Sequence, residues 1–302
     1  MKKVVQALIV ILFATVVLAA CGGSDETPQN QTTQGGGTQQ NQDQTQNQTQ
    51  NQTQTQGQAQ GGDTGQGGDS SQDDPADNQR SSDNIYILFV GNSFVFFGDM
   101  PSQLAAIAAA NGINLVYTDI SRGGFNLLDH EDDAIAEMQR FQYDFVVFQD
   151  QSQRPIFATD DFWDDVYFLS YVARSTGAVP VLYNPAWAND DGWPDAELQD
   201  FLSLIYAIGA YISDALFVNA GDAWVFAYYT EPTLDLYHED MFHANYAGAF
   251  FTAAVFAATL FDLQIVNIPQ NLPYTGPILS LLAELAWEFV NYHDYVDLSF
   301  DY

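Results

Sequence analysis

The sequence predicts an α/β domain in which helices cover both faces of a five-stranded, mainly parallel sheet, so that the fold has three layers. Continuous apolar runs typical of strands buried on both faces occur five times, at 85–90, 113–117, 144–148, 179–183 and 215–218. Stretches with helical spacing separate these runs and follow the last of them, at 100–110, 132–141, 161–176, 195–213, 246–261 and 277–292. This regular alternation favours parallel strands joined by crossover helices.

The first 21 residues have the features of an export signal. A basic start at Lys2 and Lys3 precedes an apolar run over 4–20, and Leu18-Ala19-Ala20-Cys21 resembles a bacterial lipobox. We expect Cys21 to carry lipid and to hold the protein on the outer face of a bacterial membrane. The alternative is a retained transmembrane anchor, for which this run is at the short end of the required length. Cys21 is the only cysteine, so its lipidation would leave no thiol for a disulfide or a metal site.

Residues 22–84 have the composition of a disordered tether, being rich in Gln, Asn, Thr, Gly, Ser and Asp. Such a segment cannot bury enough apolar surface to offset the entropy lost on ordering. The remaining residues, 85–302, have the usual length of one α/β domain.

This domain is strongly acidic, with 30 Asp and Glu residues against four Arg and no Lys, a formal balance of −26. A surface of this charge repels phosphate backbones, so we expect no binding to nucleic acid. The lack of lysine suggests adaptation to high salt, where repulsion between carboxylates is screened. The alternative is an acidic exported protein without that adaptation.

Candidate catalytic residues occur after the first strand and in a late loop. Ser93 follows the strand in Gly91-Asn92-Ser93-Phe94, whereas Asp240 and His243 form a D-x-x-H motif about 150 residues later. A serine, a carboxylate and an imidazole are the groups needed for nucleophilic acyl transfer. Ligands bind beyond the carboxyl ends of strands in such a sheet, which favours this role, although a lone serine after a strand is more often a turn residue.

Possible oxyanion donors follow the second and third strands. Gly123 and Gly124 follow the second strand and offer unhindered backbone N–H groups, while Gln149 and Gln151 follow the third and carry amide donors. A metal cluster built on His238, Glu239, Asp240 and His243 is the alternative for the late loop. Its spacing matches no familiar zinc pattern, so we expect neither a metal nor a cofactor.

Together the motifs G-N-S-F, Q-x-Q-S-Q and D-x-x-H resemble the SGNH (GDSL-like) hydrolase superfamily, and more closely a bacterial lipoprotein subgroup. The resemblance covers 85–261 and implies an SGNH/flavodoxin-like fold. It implies Ser93 as nucleophile, His243 as base and Asp240 as the acid that orients it. The oxyanion would be held by the N–H groups of Ser93 and of Gly124 or Gly123, with Gln151 or Gln149 in place of the superfamily's usual asparagine. Asn92 stands where the superfamily usually has Asp.

The expected function is a surface-tethered serine ester hydrolase that acts on O-acetyl or other small acyl esters of carbohydrates. The sugar preference rests on tryptophans whose indoles could stack on pyranose rings, which are Trp163, Trp187, Trp193, Trp224 and Trp287. The alternative is a non-catalytic glycan-binding lipoprotein with a degenerate site.

Overall fold

The fold contains one five-stranded sheet in which every strand is parallel to its neighbours. The computed structural model describes residues 80–187, 194–272 and 276–293. The strands run in the order β2-β1-β3-β4-β5. Their bounds are β1 Asn84–Val90, β2 Asn114–Asp119, β3 Phe145–Phe148, β4 Val179–Asn184 and β5 Leu216–Asn219. The predicted α/β class and parallel sheet are confirmed.

Nine α-helices occur among the described residues, and they pack on the two faces of the sheet. They are α1 Ser93–Phe96, α2 Met100–Ala110, α3 Leu127–Arg140, α4 Arg154–Phe157, α5 Thr159–Ser175, α6 Ala196–Ile212, α7 Ala220–Thr230, α8 Tyr246–Phe261 and α9 Pro277–Tyr292. Helices α2, α7, α8 and α9 cover one face, whereas α3, α5 and α6 cover the other. This arrangement gives the three predicted layers.

The inner strand β1, between β2 and β3, is buried on both sides, as its unbroken apolar sequence predicts. Ile87 and Phe89 are fully buried against the α2, α8 and α9 side. Leu88 and Val90 are fully buried as well, and they alternate with the first pair, so they point to the opposite face. The strand is therefore fixed in the sheet, and the loop that follows Val90 begins from a rigid position.

Several helices differ from the sequence prediction, and the short helices α1 and α4 were not predicted. Helix α3 starts at Leu127 rather than 132, because Asn126 and Asp129 form a capping box that starts the helix a turn earlier. Helix α7 was not predicted. It starts directly at the end of β5, where Asn219 caps it without an intervening loop, and its apolar sequence has no strong helical periodicity.

The folded part of the chain begins before the predicted boundary at 84. Arg80 donates to the backbone carbonyl of Gln142 at 2.6 Å, forms an ion pair with Asp144 and lies over the ring of Tyr86. The predicted signal peptide, Cys21 and most of the predicted tether lie outside the described residues. Among the residues that are described, no helix has the length and hydropathy needed to span a membrane.

Candidate active site

The switch point of the sheet lies between β1 and β3, where the chain order reverses, and Ser93 lies at the carboxyl end of β1 beside it. Asn92 caps the short helix α1 by accepting from the N–H of Phe94 at 3.1 Å, and Ser93 is the first residue of that helix. The side chain of Ser93 is partly exposed, as a nucleophile must be.

The structure brings Ser93, His243 and Asp240 into one hydrogen-bonded series. The Ser93 hydroxyl donates to Nε2 of His243 at 2.8 Å. The other ring nitrogen, Nδ1, donates to Oδ2 of Asp240 at 2.7 Å. Because the carboxylate can only accept, it holds the proton on Nδ1 and leaves the Nε2 lone pair facing the serine. This is the geometry in which an imidazole can remove the hydroxyl proton.

The loop that carries Asp240 and His243 is tightly closed. Oδ1 of Asp240 accepts the backbone N–H groups of Phe242 at 3.0 Å and His243 at 2.9 Å, while the N–H of His238 donates to the carbonyl of His243 at 2.7 Å. Met241 has a positive φ of 60°, which makes the tight turn possible. Burial alone would raise the pKa of Asp240, but the bonds from His243 and Phe242 lower this pKa to about 2. Asp240 is therefore a carboxylate at any ordinary pH.

Aromatic rings hold the imidazole of His243 in place. Phe97 stacks on it with ring centroids 4.4 Å apart and planes 18° apart. The ring centroids of Phe94 and Phe242 lie 5.7 and 5.2 Å from that of the imidazole. The ring of Trp187 packs edge to face on that of Phe242, with centroids 5.3 Å apart. The cluster of aromatic rings therefore extends away from the base.

His238 lies beside the series without joining it. Its Nδ1 is 3.4 Å from Oδ2 of Asp240, beyond a good hydrogen bond, and its ring packs edge-on against Phe97. Among the residues the structure describes, no three His, Cys, Asp or Glu side chains form a group that could hold a metal ion.

Ser93 and the predicted glycine turn supply free backbone donors. Residues 122–125 form a turn closed by the N–H of Phe125 donating to the carbonyl of Arg122 at 3.1 Å, with Gly124 at a φ of 77°. Gly123 and Gly124 are exposed, with open space beside their α-carbons. The N–H groups of Ser93 and Gly124 have no acceptor within the described part of the chain, so both can donate to a ligand.

Asn92 ties the nucleophile loop to the loops that follow β2 and β3. Its buried side-chain amide donates to the carbonyls of Phe125 and Asp150, each at 3.1 Å. Its own N–H donates to Oε1 of Gln149 at 3.0 Å. One side chain thus fixes the relative positions of three strand-end loops.

The two predicted glutamine donors are used inside the protein. Gln149 is fully buried, and its amide oxygen accepts from Asn92 while its amide nitrogen donates to the carbonyl of Asp150. Gln151 folds back on its own loop. It donates to Ser152 at 3.1 Å and accepts from the N–H groups of Gln153 at 2.8 Å and Arg154 at 3.1 Å. Both amides therefore have partners inside the protein: Gln149 is held by the nucleophile loop and by Asp150, and Gln151 by its own turn.

Asp150 and Arg154 form a buried ion pair behind the site, to which the sequence analysis gave no role. Oδ2 of Asp150, on a fully buried side chain, accepts from Arg154 at 2.7 Å, and Arg154 also bonds Asp165 at 2.5 Å. Oδ1 of Asp150 accepts from the N–H groups of Leu127 at 3.0 Å and Gln151 at 2.7 Å. Burial raises the pKa of Asp150, and Arg154 opposes that rise. Only the contacts made after folding distinguish this carboxylate from an ordinary loop residue.

Solved structures share this fold. The chain is similar to a protein from Slackia heliotrinireducens named as a candidate SGNH hydrolase, at 25% identity and a TM-score of 0.51, over 59% of this chain and 99% of that chain. The chain belongs to the SGNH hydrolase superfamily. A DUF4886 family protein from Bacteroides uniformis is also similar in fold, at 16% identity and a TM-score of 0.58, over 70% of this chain and 96% of that one.

An acetyl-xylooligosaccharide esterase from Geobacillus is a third similar structure, at 16% identity and a TM-score of 0.47, over 60% of this chain and 97% of that chain. No protein-family model matches the chain, and no curated protein matches it.

Proposed function

We propose that the chain hydrolyses carboxylic esters with Ser93 as nucleophile, His243 as base and Asp240 as the group that orients the base. The observation that carries this proposal is the continuous series of two hydrogen bonds, 2.8 and 2.7 Å long, from the Ser93 hydroxyl to the Asp240 carboxylate. A surface protein that only binds a ligand has no need of such a series.

In the proposed reaction, Ser93 Oγ attacks the ester carbonyl carbon while its proton moves to Nε2 of His243. The N–H groups of Ser93 and Gly124 donate to the developing oxyanion. Collapse of this intermediate breaks the bond to the alcohol, which leaves with the proton from Nε2. Water then attacks the acyl-serine and gives its proton to Nε2. When the second intermediate collapses, the acid is released and Ser93 recovers its proton. These steps are balanced with no cofactor.

Two backbone N–H groups, without a glutamine amide, make up the proposed oxyanion hole. Gln149 and Gln151 both have internal partners that are lost if either turns toward the substrate. Gly124, which the SGNH resemblance gives as the oxyanion glycine, lies in the exposed turn at a φ of 77°, and its N–H has no acceptor among the described residues.

For the substrate, we propose small acyl esters of carbohydrates. Among the described residues, the side chain of Asp240 is 39% exposed, and Gly123 and Gly124 are exposed as well. These exposed groups leave the serine accessible to a small acyl ester. The leaving alcohol must pass His243 to collect its proton, and the rings of Phe242 and Trp187 lie on that side. Aromatic faces of this kind pack against the C–H groups of sugars.

Only some of the tryptophans can serve this role. Trp163 and Trp224 are buried and donate to Ile205 at 2.9 Å and Thr252 at 3.1 Å, so they belong to the core. Trp287 lies on α9, in a separate groove with Gln264 and Val266. Trp193 lies outside the described residues. Trp187 is the tryptophan that supports the proposed sugar contact.

The proposed location is the outer face of a bacterial membrane, reached through a lipid on Cys21 and the tether that follows it. The lipobox sequence and the polar composition of 22–79 support this proposal. Cys21→Ser should move the protein from the membrane fraction to the soluble fraction. A variant that stays membrane-bound at normal yield would favour a retained anchor.

Labelling of the full chain with a fluorophosphonate probe, combined with p-nitrophenyl acetate hydrolysis, tests the proposed chemistry. We expect stoichiometric labelling of Ser93 and turnover, both abolished in Ser93→Ala. Ser121→Ala is a matched control, because Ser121 lies in the neighbouring loop and has no part in the series. A folded protein with neither labelling nor turnover would favour the non-catalytic glycan-binding alternative.

The substrate class has a separate test. With p-nitrophenyl esters, kcat/KM should fall as the acyl chain grows from acetate to octanoate. With acetylated xylo-oligosaccharides, Trp187→Ala should raise KM, whereas Trp287→Ala should leave KM unchanged. Equal rates across the acyl series would contradict the preference for small acyl groups, and equal effects of the two tryptophan variants would contradict the carbohydrate assignment. Either result would leave the esterase chemistry intact.

A further inference from the structure

A fully buried histidine, His130, lies directly behind the nucleophile loop. It is on α3, and its Nε2 lies 2.7 Å from the backbone carbonyl of Gly91. Because a carbonyl can only accept, Nε2 carries the proton. The second nitrogen, Nδ1, is buried and has no partner among the described residues. Burial lowers the pKa of His130, so the ring is neutral.

The carbonyl of Gly91 joins both sides of the proposed oxyanion hole. It accepts from His130 and also from the N–H of Arg122 at 3.0 Å. Gly91 is two residues before Ser93, and Arg122 is the first residue of the turn that contains Gly124. One oxygen atom therefore connects the nucleophile loop, the glycine turn and α3.

The ring of His130 contacts the glycine turn a second time. Its centroid lies 5.1 Å from that of Phe125, the residue that closes the turn. The backbone around Gly91 is closely packed, because a Cβ added there would lie 2.7 Å from Val95 and 2.8 Å from Gln149. In such a packed region, a shift of Gly91 is passed on to Ser93.

Stability alone does not account for a histidine at this position. A buried nitrogen without a hydrogen-bond partner costs free energy, whereas leucine or methionine, of similar volume, would avoid that cost. The Gly91 carbonyl would remain satisfied by Arg122 if the imidazole were replaced. The hydrogen bond from His130 is thus an additional constraint on the loop.

We propose that His130 is a positioning residue that fixes the distance between the N–H groups of Ser93 and Gly124 by holding the Gly91 carbonyl and the Phe125 ring. This inference rests on the proposed esterase function. It assigns to His130 no contact with substrate and no proton transfer.

The test compares His130→Leu and His130→Gln in the full chain, with His293→Leu as control because His293 is exposed at the end of α9. The glutamine amide reaches about as far as Nε2 and can donate to Gly91. In His130→Leu, kcat for p-nitrophenyl acetate should fall about 10–100-fold, as expected for a small displacement of a catalytic group. KM should be unchanged and Tm unchanged or higher. His130→Gln should recover most of the lost kcat, and His130→Met replaces the leucine variant if that variant does not fold.

Wild-type kcat in a folded His130→Leu protein would overturn the inference. Equal loss of kcat in the leucine and glutamine variants, or a loss that follows a lowered Tm, would also overturn it, since either result indicates a structural role. With any of these results, turnover by the wild-type protein would show that the proposed function stands. If the wild-type protein neither labels at Ser93 nor turns over, the proposed function fails and this inference fails with it.

Discussion

The side-chain amide of Asn92 donates to the carbonyl of Phe125 at 3.1 Å, across 33 residues of sequence. A second bond from the same amide, to the carbonyl of Asp150, joins the third strand-end loop. The SGNH superfamily usually has Asp at this position, whereas the bacterial subgroup that the sequence resembles has Asn. A carboxylate could donate neither bond, so the amide of Asn92 is what holds the three loops together.

Asn92→Asp should destabilise the protein by about 2–4 kcal/mol, because two buried carbonyls lose their donor and face a carboxylate instead. Urea denaturation at pH 7 measures this difference. Asn114→Asp makes the same chemical change at an exposed position on β2 and should cost little. Equal stabilities of the two variants would show that the Asn92 bonds do not hold the loops.

Ser93→Ala and His243→Ala should each lower kcat by a factor on the order of 10³ or more, because nucleophile and base act as one unit. The double variant should be scarcely slower than either single variant. Initial rates with p-nitrophenyl acetate, measured on variants of equal Tm, test this. Additive losses in the double variant would mean that the two residues act independently.

His238 provides the comparison for assigning the base. Nδ1 of His238 lies 3.4 Å from Oδ2 of Asp240, and among the described contacts its ring forms no hydrogen bond with Ser93. His238→Ala should therefore change kcat little. If His238→Ala abolished activity and His243→Ala did not, the assignment of the base would be wrong.

Parts of this site could be predicted from the sequence because their signals are local. Ser93 directly follows a buried strand, and Asp240 and His243 are three residues apart, so their placement needed only the strand order. The roles of Gln149 and Gln151 could not be predicted, because the direction of a loop amide depends on which backbone groups fold against it. His130 gave no signal either, since its partner carbonyl is 39 residues away.

The low pKa of Asp240, about 2, gives a stability contribution with a defined pH dependence. An unfolded aspartate has a pKa of about 3.9, so the folded state favours the ionised form. The contribution is fully present above about pH 4 and is lost as the pH falls through about 2. The difference in unfolding free energy between wild type and Asp240→Asn should thus shrink over this range. A difference that is constant from pH 5 to pH 2 would contradict the assigned shift.

Arg154→Ala should be strongly destabilising, by about 3–5 kcal/mol, because it leaves the fully buried Asp150 carboxylate without its cation. Arg140 offers a matched control, since its pair with Glu137 lies at the surface, where the arginine side chain is 64% exposed. Arg140→Ala should cost about 0–1 kcal/mol. Urea denaturation at pH 7 gives the free energy of unfolding of both variants. A small effect of Arg154→Ala would mean that Asp150 is protonated in the folded protein.

The charge of the domain leads to the last prediction. Residues 85–302 carry a formal charge of −26 without a single lysine, so carboxylates repel one another over much of the surface. Raising NaCl from about 0.1 M to about 1 M shortens the Debye length from about 10 Å to about 3 Å, which screens this repulsion. Tm should therefore rise across this range. Because excluded cosolutes also stabilise folded proteins, sucrose at equal osmolality is the control, and NaCl should raise Tm further than sucrose does. A Tm that is flat or falls with NaCl would remove the hypothesis of salt adaptation.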